Sequence, residues 1–96
     1  MNLYVGNLYY RINEDDLLRI FSEYGKVASV RIIRDPYTRR SKGYGFVEME
    51  HDYEANRAVD NASGLLLEGR NLVVLFVKPG GNNENNDYQR QRGKVN

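Results

Sequence analysis

The sequence contains no cysteine and no tryptophan. Without cysteine the chain can form neither a disulfide framework nor a thiolate metal site, which suits a reducing cytoplasm. No window approaches the roughly 20 apolar residues of a transmembrane helix, and no secretory signal is expected. With 96 residues, of which 41% are hydrophobic, the chain has room for one modest core. We therefore expect a cytoplasmic protein of one small domain, without a cofactor and without membrane association.

A large excess of one sign of charge is also missing, since the 14 basic and 13 acidic residues leave a formal net charge of only +1. Its distribution is uneven, however. Residues 26–42 contain one acid, Asp35, whereas the two predicted helices and the predicted cap of the second carry seven of the 13 acidic residues. One side of the protein should therefore attract phosphate groups and the other repel them. The basic residues of this segment are Lys26, Arg31, Arg34, Arg39, Arg40 and Lys42. A solvated loop is the alternative interpretation of the arginines at 39 and 40.

The octapeptide of residues 42–49 has the alternation of a β-strand, in which successive side chains point to opposite faces. Lysine and glutamate are rarely buried unless paired, so the face that carries both should be exposed. Two aromatic rings then lie in water, because the first face holds Lys42, Tyr44, Phe46 and Glu48 and the second holds Gly45, Val47 and Met49. An interpretation of the rings as core residues would bury the lysine and the glutamate.

A second segment, Leu3-Tyr4-Val5-Gly6-Asn7-Leu8, has the pattern of a short strand that runs into a Gly-Asn turn. Leu3 and Val5 share one face of this strand, and Tyr4 points to the other. The hexapeptide is weak evidence alone. It gains weight from the octapeptide about forty residues later.

Together the two segments resemble the hexamer and octamer signatures of the RNA recognition motif. The octapeptide matches seven of the eight positions of the pattern K/R-G-F/Y-G/A-F-V-x-F/Y. Its one mismatch, Met49, has core parity, where methionine substitutes well for a ring. The resemblance covers about residues 1–79 and is closest in kind to small single-domain RNA-binding proteins of bacteria. It implies an α+β, ferredoxin-like β-α-β-β-α-β sandwich with a four-stranded antiparallel sheet and two helices on one face.

Local patterns place the six elements. Asn13 should cap the first helix and Gly25 should end it, and Asp52 should cap the second helix. The last strand is apolar on both faces, so Val73 and Leu75 should be exposed unless the chain after residue 79 covers them. Of the three consecutive leucines at 65–67, Leu67 should reach the core. The predicted strands are 2–7, 28–34, 42–49 and 71–78, and the predicted helices are 14–24 and 53–62.

The resemblance also implies the ligand and the residues that contact it. Tyr4 and Tyr44 would each stack under a base, while Phe46 would insert near the sugars. Lys42 would contact a phosphate, and the remaining candidates for RNA binding are Arg31, Arg40 and Asn7. The expected partner is single-stranded RNA, and the expected role is post-transcriptional regulation or RNA chaperoning by a monomer. Single-stranded DNA stays an alternative, because stacking does not sense the 2'-hydroxyl.

Two further alternatives concern other kinds of function. A protein partner could bind the apolar outer face of the last strand. An enzyme is not expected, because the single histidine, His51, has no second histidine or cysteine with which to form a metal site. The glycine-rich anion loop that Arg11 and Asn7 would need for acylphosphatase-like chemistry is missing.

The composition becomes strongly polar after residue 79, so residues 80–96 are predicted to be a disordered tail. Such a tail could simply increase solubility. Alternatively, it could act as an auxiliary RNA clamp, with Arg90, Arg92 and Lys94 on phosphates and Tyr88 stacked on a base.

Overall fold

The structure, a computed structural model, describes residues 1–77. The predicted tail of residues 80–96, the domain end at residue 79 and the last residue of the predicted final strand therefore lie outside the described residues. The predicted order of elements is present, with a small hairpin added before the last strand. The elements are β1 Asn2–Gly6, α1 Glu14–Ser22, β2 Val27–Arg34, β3 Ser41–Met49, α2 Asp52–Ala62, β4 Leu66–Leu67, β5 Arg70–Asn71 and β6 Val73–Val77.

Four strands form one antiparallel sheet in the order β2-β3-β1-β6. The two signature segments, β1 and β3, are therefore adjacent at its centre. Tyr4 is paired with Phe46 on one side and with Leu75 on the other. Directly paired residues of antiparallel strands point to the same face, so this register places the three side chains in one row. The predicted ferredoxin-like sandwich is confirmed.

The core lies between this sheet and the two helices, which pack on the same face. Met49 is fully buried, so the mismatch to the octamer pattern affects packing, as expected. Small side chains on α2 allow that helix to approach the sheet closely. The buried residues include Leu3, Val5, Val47 and Val74 from the sheet, Leu17 and Phe21 from α1, and Ala55, Ala58 and Ala62 from α2.

The start of α1 agrees with the sequence. The Asn13 side chain accepts a hydrogen bond from the Asp16 backbone N–H, and the Asp16 carboxylate accepts one from the Asn13 N–H, both at 2.9 Å. This reciprocal capping box satisfies two backbone donors that the helix itself leaves unpaired. The end differs, because α1 stops at Ser22 and Gly25 does not adopt a left-handed φ. A Cβ at Gly25 would instead overlap the Glu54 side chain, which accepts from the Lys26 N–H.

The prediction that Asp52 caps α2 is wrong. Asp52 is the first helical residue, and His51 occupies the cap position without a side-chain hydrogen bond to the helix. Asp52 and Glu54 instead lie in the first turn, where negative charge is favourable near the positive end of the helix dipole.

The predicted final strand is divided into β5 and β6. Glu68 and Gly69 have φ values of 51° and 79°, which suit a two-residue hairpin turn that pairs β4 with β5. Leu72 follows β5 and donates its N–H to the Leu65 carbonyl at 2.9 Å. The chain then continues as β6, which joins the main sheet. The prediction for the leucines is confirmed, because Leu67 packs against the core and the other two are exposed.

Candidate nucleic-acid interface

Three aromatic rings form a continuous cluster on the face of the sheet opposite the helices. The Tyr4 ring centre lies 5.8 Å from that of Tyr44 and 6.0 Å from that of Phe46. The Tyr44 and Phe46 centres are 6.2 Å apart, with their planes nearly perpendicular. All three residues are half-buried. The structure thus brings together the rings that the sequence predicted, and we call them the aromatic platform.

Gly6 determines how the Tyr4 ring lies. A Cβ atom built on Gly6 would be 2.5 Å from Tyr4 Oη, so the ring rests directly over the glycine. The sequence interpretation treated Gly6 only as the start of a turn. The two-residue spacing of Tyr4 and Gly6 could have indicated this contact, because residues i and i+2 of a strand share a face. A glycine at that position leaves room for a neighbouring ring.

The basic residues of segment 26–42 divide into two groups. The Arg31 guanidinium lies 5.4 Å from the centre of the Phe46 ring, within the range of a cation–π contact. Lys42 and Arg40 are exposed beside the start of β3. Within residues 1–77, neither of them forms an ion pair. These three residues place positive charge along the platform.

Arg34 and Lys26 belong to the second group, because each pairs with an acid of the protein. Arg34 forms a two-pronged ion pair with Glu14 at the start of α1, with Nη2 donating to Oε1 at 3.1 Å. This hydrogen bonding lowers the pKa of the Glu14 carboxyl below its ordinary value. Lys26 Nζ lies 3.7 Å from Glu50. These two residues therefore have an acidic partner within the described part of the protein, and a phosphate contact by either of them stays a prediction.

The loop between β2 and β3 is folded on itself around Asp35. One Asp35 carboxylate oxygen accepts the backbone N–H groups of Tyr37 and Thr38 at 2.8 and 3.0 Å. These hydrogen bonds, that of Thr38 foremost, lower the pKa of the Asp35 carboxyl. The Asp35 N–H also donates to the Arg40 carbonyl at 2.8 Å. The loop thereby holds the Arg40 backbone directly before the start of β3.

Asn7 holds another arginine at the end of β1. Its Oδ1 accepts from Nε and Nη2 of Arg70 at 3.0 and 2.7 Å, and its Nδ2 donates to the Asn71 carbonyl at 2.8 Å. These bonds use the Asn7 amide, so the geometry favours a positioning role for it. Direct RNA contact by Asn7 stays a prediction. Sequence reasoning missed Arg70, because no local pattern links two residues 63 positions apart.

The outer face of β6 is apolar, as predicted. Val73 and Leu75 are 39% and 53% exposed, and Leu75 lies beside Tyr4 in the sheet.

On the opposite side of the platform a concavity of about 530 Å³ opens between the ends of the strands. Its lining includes Asn2, Ser29, Arg31, Phe46 and Glu48.

Among residues 1–77 no group of three or more histidine or acidic side chains could hold a metal ion. His51 instead stacks on Tyr53 with ring centres 6.1 Å apart. No helix in the described part of the chain is long and apolar enough to cross a membrane.

The sequence model of the RNA recognition motif matches residues 3–73, which include all of β3 and all of β1 except Asn2. The chain belongs to the RNA recognition motif family. Its relatives include the putative RNA-binding protein RbpA of Synechocystis sp., 44% identical over 79 residues that cover 82% of this chain and 78% of the relative. The putative RNA-binding protein RbpB of Nostoc sp. is 38% identical over 102 residues, covering 95% of this chain and 99% of the relative.

Solved structures of RNA recognition motifs have the same fold. A crystal structure of the RNA-binding protein PG1 is 48% identical, with a TM-score of 0.76 and coverage of 78% of this chain and 90% of that chain. The Rna15 RNA recognition motif with bound GU RNA is 33% identical, with a TM-score of 0.73 and coverage of 79% and 81%. The predicted resemblance to small bacterial members of the family is confirmed by the cyanobacterial relatives.

Proposed function

We propose that this protein binds single-stranded RNA on the exposed face of its sheet, with Tyr4, Tyr44 and Phe46 as the stacking platform. The observation that carries the proposal is the contiguity of the three rings on the two central strands, facing away from the helices. In an A-form duplex the base faces are stacked inside, whereas an unpaired segment can lay its bases on a sheet. Structures of RNA complexes of the Rna15 motif and of the sex-lethal protein, which this chain resembles at 33% and 31% identity, support the same use of the fold.

Positive charge beside the platform would contact the RNA backbone. Lys42 and Arg40 border the start of β3, and Arg31 borders Phe46. Asn7 would contribute through Arg70, whose guanidinium it orients. Because phosphate contacts release condensed counterions, binding should weaken as salt rises.

The expected affinity is moderate. Each base stacked on an aromatic ring contributes roughly 1–3 kcal/mol as measured by truncation. Three such contacts do not add fully, because part of the gain is lost in ordering a flexible strand and the side chains that meet it. A site of a few nucleotides follows from the size of the platform.

The biological role that fits this binding is post-transcriptional regulation or RNA chaperoning. The protein would act as a monomeric binding module rather than an enzyme, with residues 1–79 as the RNA-binding domain and residues 80–96 as a tail. The cytoplasmic location stays a prediction from the sequence. A protein partner on Val73 and Leu75 is the alternative, and none of the similar proteins described above points to it.

The test is a double substitution, Tyr44→Ala with Phe46→Ala, assayed with pools of unstructured RNA. We expect RNA binding to be lost while the amide spectrum stays that of a folded domain, because both rings lie outside the core. Tyr53→Ala is the matched control, since it removes an exposed ring from α2 on the other side of the sheet. If the double variant binds RNA with the affinity of the parent, the proposal that the platform binds RNA is wrong. A protein partner then becomes the leading hypothesis.

A further inference from the structure

A row of polar residues crosses three of the four strands of the sheet directly next to the aromatic platform. Glu48 of β3 is paired with Ser29 of β2 on one side and with Asn2 of β1 on the other, so the three side chains share the exposed face. They line the concavity of about 530 Å³, together with Val30, Arg31, Phe46 and Val77. The row is therefore part of a pocket that opens onto the platform.

Glu48 is an unusual residue for a surface that attracts phosphates. Its carboxylate accepts hydrogen bonds only, and its two oxygens offer about four acceptor positions. Within residues 1–77 its side chain accepts one hydrogen bond, from Ser29 Oγ at 3.3 Å, and forms no ion pair. A negative charge at this point repels the RNA backbone, while its open acceptor positions suit a base that presents hydrogen-bond donors.

The chemistry of the four RNA bases distinguishes among them. Successive rows on one face of a strand are about 6.6–6.8 Å apart, so a base stacked on the platform extends its edge over the row of Glu48. Guanine alone presents two adjacent donors, N1–H and the 2-amino group, which match the two oxygens of one carboxylate. In adenine, cytosine and uracil the Watson–Crick donor has an acceptor beside it instead of a second donor.

We propose that Glu48, with Ser29 and Asn2 beside it, forms a base-recognition site for guanine at the edge of the platform. Arg31, diagonal to Glu48 across β2 and β3, has several N–H donors, so it can donate to guanine O6 as well as to a backbone phosphate. The inference rests on the proposed function, because the base must first stack on the platform. It adds base specificity, which stacking alone does not provide.

The test compares the full-length parent and the variant Glu48→Gln on short oligouridine RNAs that carry one central guanosine, adenosine or inosine. The parent should bind the guanosine RNA at least about fivefold more tightly than the adenosine RNA, the low end of discrimination by a two-pronged base contact. Inosine keeps N1–H and lacks the 2-amino group, so its RNA should bind with intermediate affinity. Glu48→Gln should remove the preference, since one acceptor oxygen is replaced by a donor.

A charge-matched control separates base reading from general electrostatics. Asp60→Asn also removes one negative charge, from an exposed position on α2, and should keep the full preference for guanosine. Glu48 is exposed, so its substitution should leave the amide spectrum folded.

The possible results distinguish failure of the guanine site from failure of RNA binding on the platform. Equal, tight binding of guanosine and adenosine RNAs by the parent overturns the guanine site and leaves the proposed function intact. A Glu48→Gln variant that keeps the preference, or that binds all three RNAs more tightly by the same factor, also overturns it. Absence of binding to every RNA contradicts the proposed function itself.

Discussion

An alanine at Gly6 should weaken RNA binding while leaving the domain folded. The added Cβ would lie 2.5 Å from Tyr4 Oη, 2.7 Å from Cε2 and 2.8 Å from Cζ. Carbon atoms in favourable contact are about 3.5–4.0 Å apart, so the Tyr4 ring has to move by about 1 Å or more. The backbone does not have to move, because Gly6 does not occupy the left-handed region that alanine disfavours.

The magnitude follows from the loss of one ring of the platform. A displaced Tyr4 ring forfeits up to the roughly 1–3 kcal/mol of one base-stacking contact, which corresponds to about a 5- to 150-fold rise in Kd. The free energy of unfolding should change by less than about 1 kcal/mol. The ring shift is on the surface, and alanine restricts the unfolded chain by about 0.4–1 kcal/mol relative to glycine, which offsets part of the strain.

A double-mutant cycle with Tyr4→Ala tests whether Gly6 affects RNA binding through the Tyr4 ring. RNA affinity is measured by fluorescence anisotropy and stability by urea denaturation for the parent, both single variants and the double variant. If Gly6 acts through the ring, Gly6→Ala should cost nothing further once Tyr4 is alanine. An equal loss of RNA affinity in both backgrounds, or parental affinity of the single Gly6 variant, would show that Gly6 does not determine the position of the Tyr4 ring.

Three other perturbations test the surroundings of the platform. Lys42→Ala should weaken binding to all RNA sequences alike and reduce the slope of log K against log salt by roughly 0.7, as titrations at several salt concentrations would show. Gly45→Ala should lower the free energy of unfolding by about 1–3 kcal/mol or more in urea denaturation, because a Cβ there overlaps the Arg31 carbonyl of the paired strand. Glu14 has a pKa lowered from 4.5 by Arg34, so its contribution to stability is present above that pH and is lost as the pH falls through the lowered pKa. Glu14→Gln should therefore show a smaller loss of stability on acidification from about pH 7 to about pH 3; an unchanged loss would contradict the ion pair.

The amino-acid sequence by itself determined which segments form strands and helices and which rings form the platform, whereas the predicted fold came from the resemblance of two segments to the RNA recognition motif. A strand has a side-chain period of two, so Tyr44 and Phe46 share a face with Lys42 and Glu48. Because the two charged residues favour solvent, that face is predicted to be exposed. The same rule predicted the burial of Met49, and the exposed apolar strip of β6 followed from a strand without polar residues. These features depend on local periodicity, which requires no knowledge of which strands are neighbours.

The tertiary structure alone decided which distant side chains meet. The pairing of Arg34 with Glu14, which withdraws one cation from the predicted phosphate-attracting surface, joins residues 20 positions apart. The bonds from Asn7 to Arg70 likewise depend on where β1 ends relative to the small hairpin. The row that contains Glu48 exists because β2 and β1 flank β3 in a particular register. Such contacts are set by strand order and register, which are properties of the packed chain as a whole, and a local pattern of residues does not contain them.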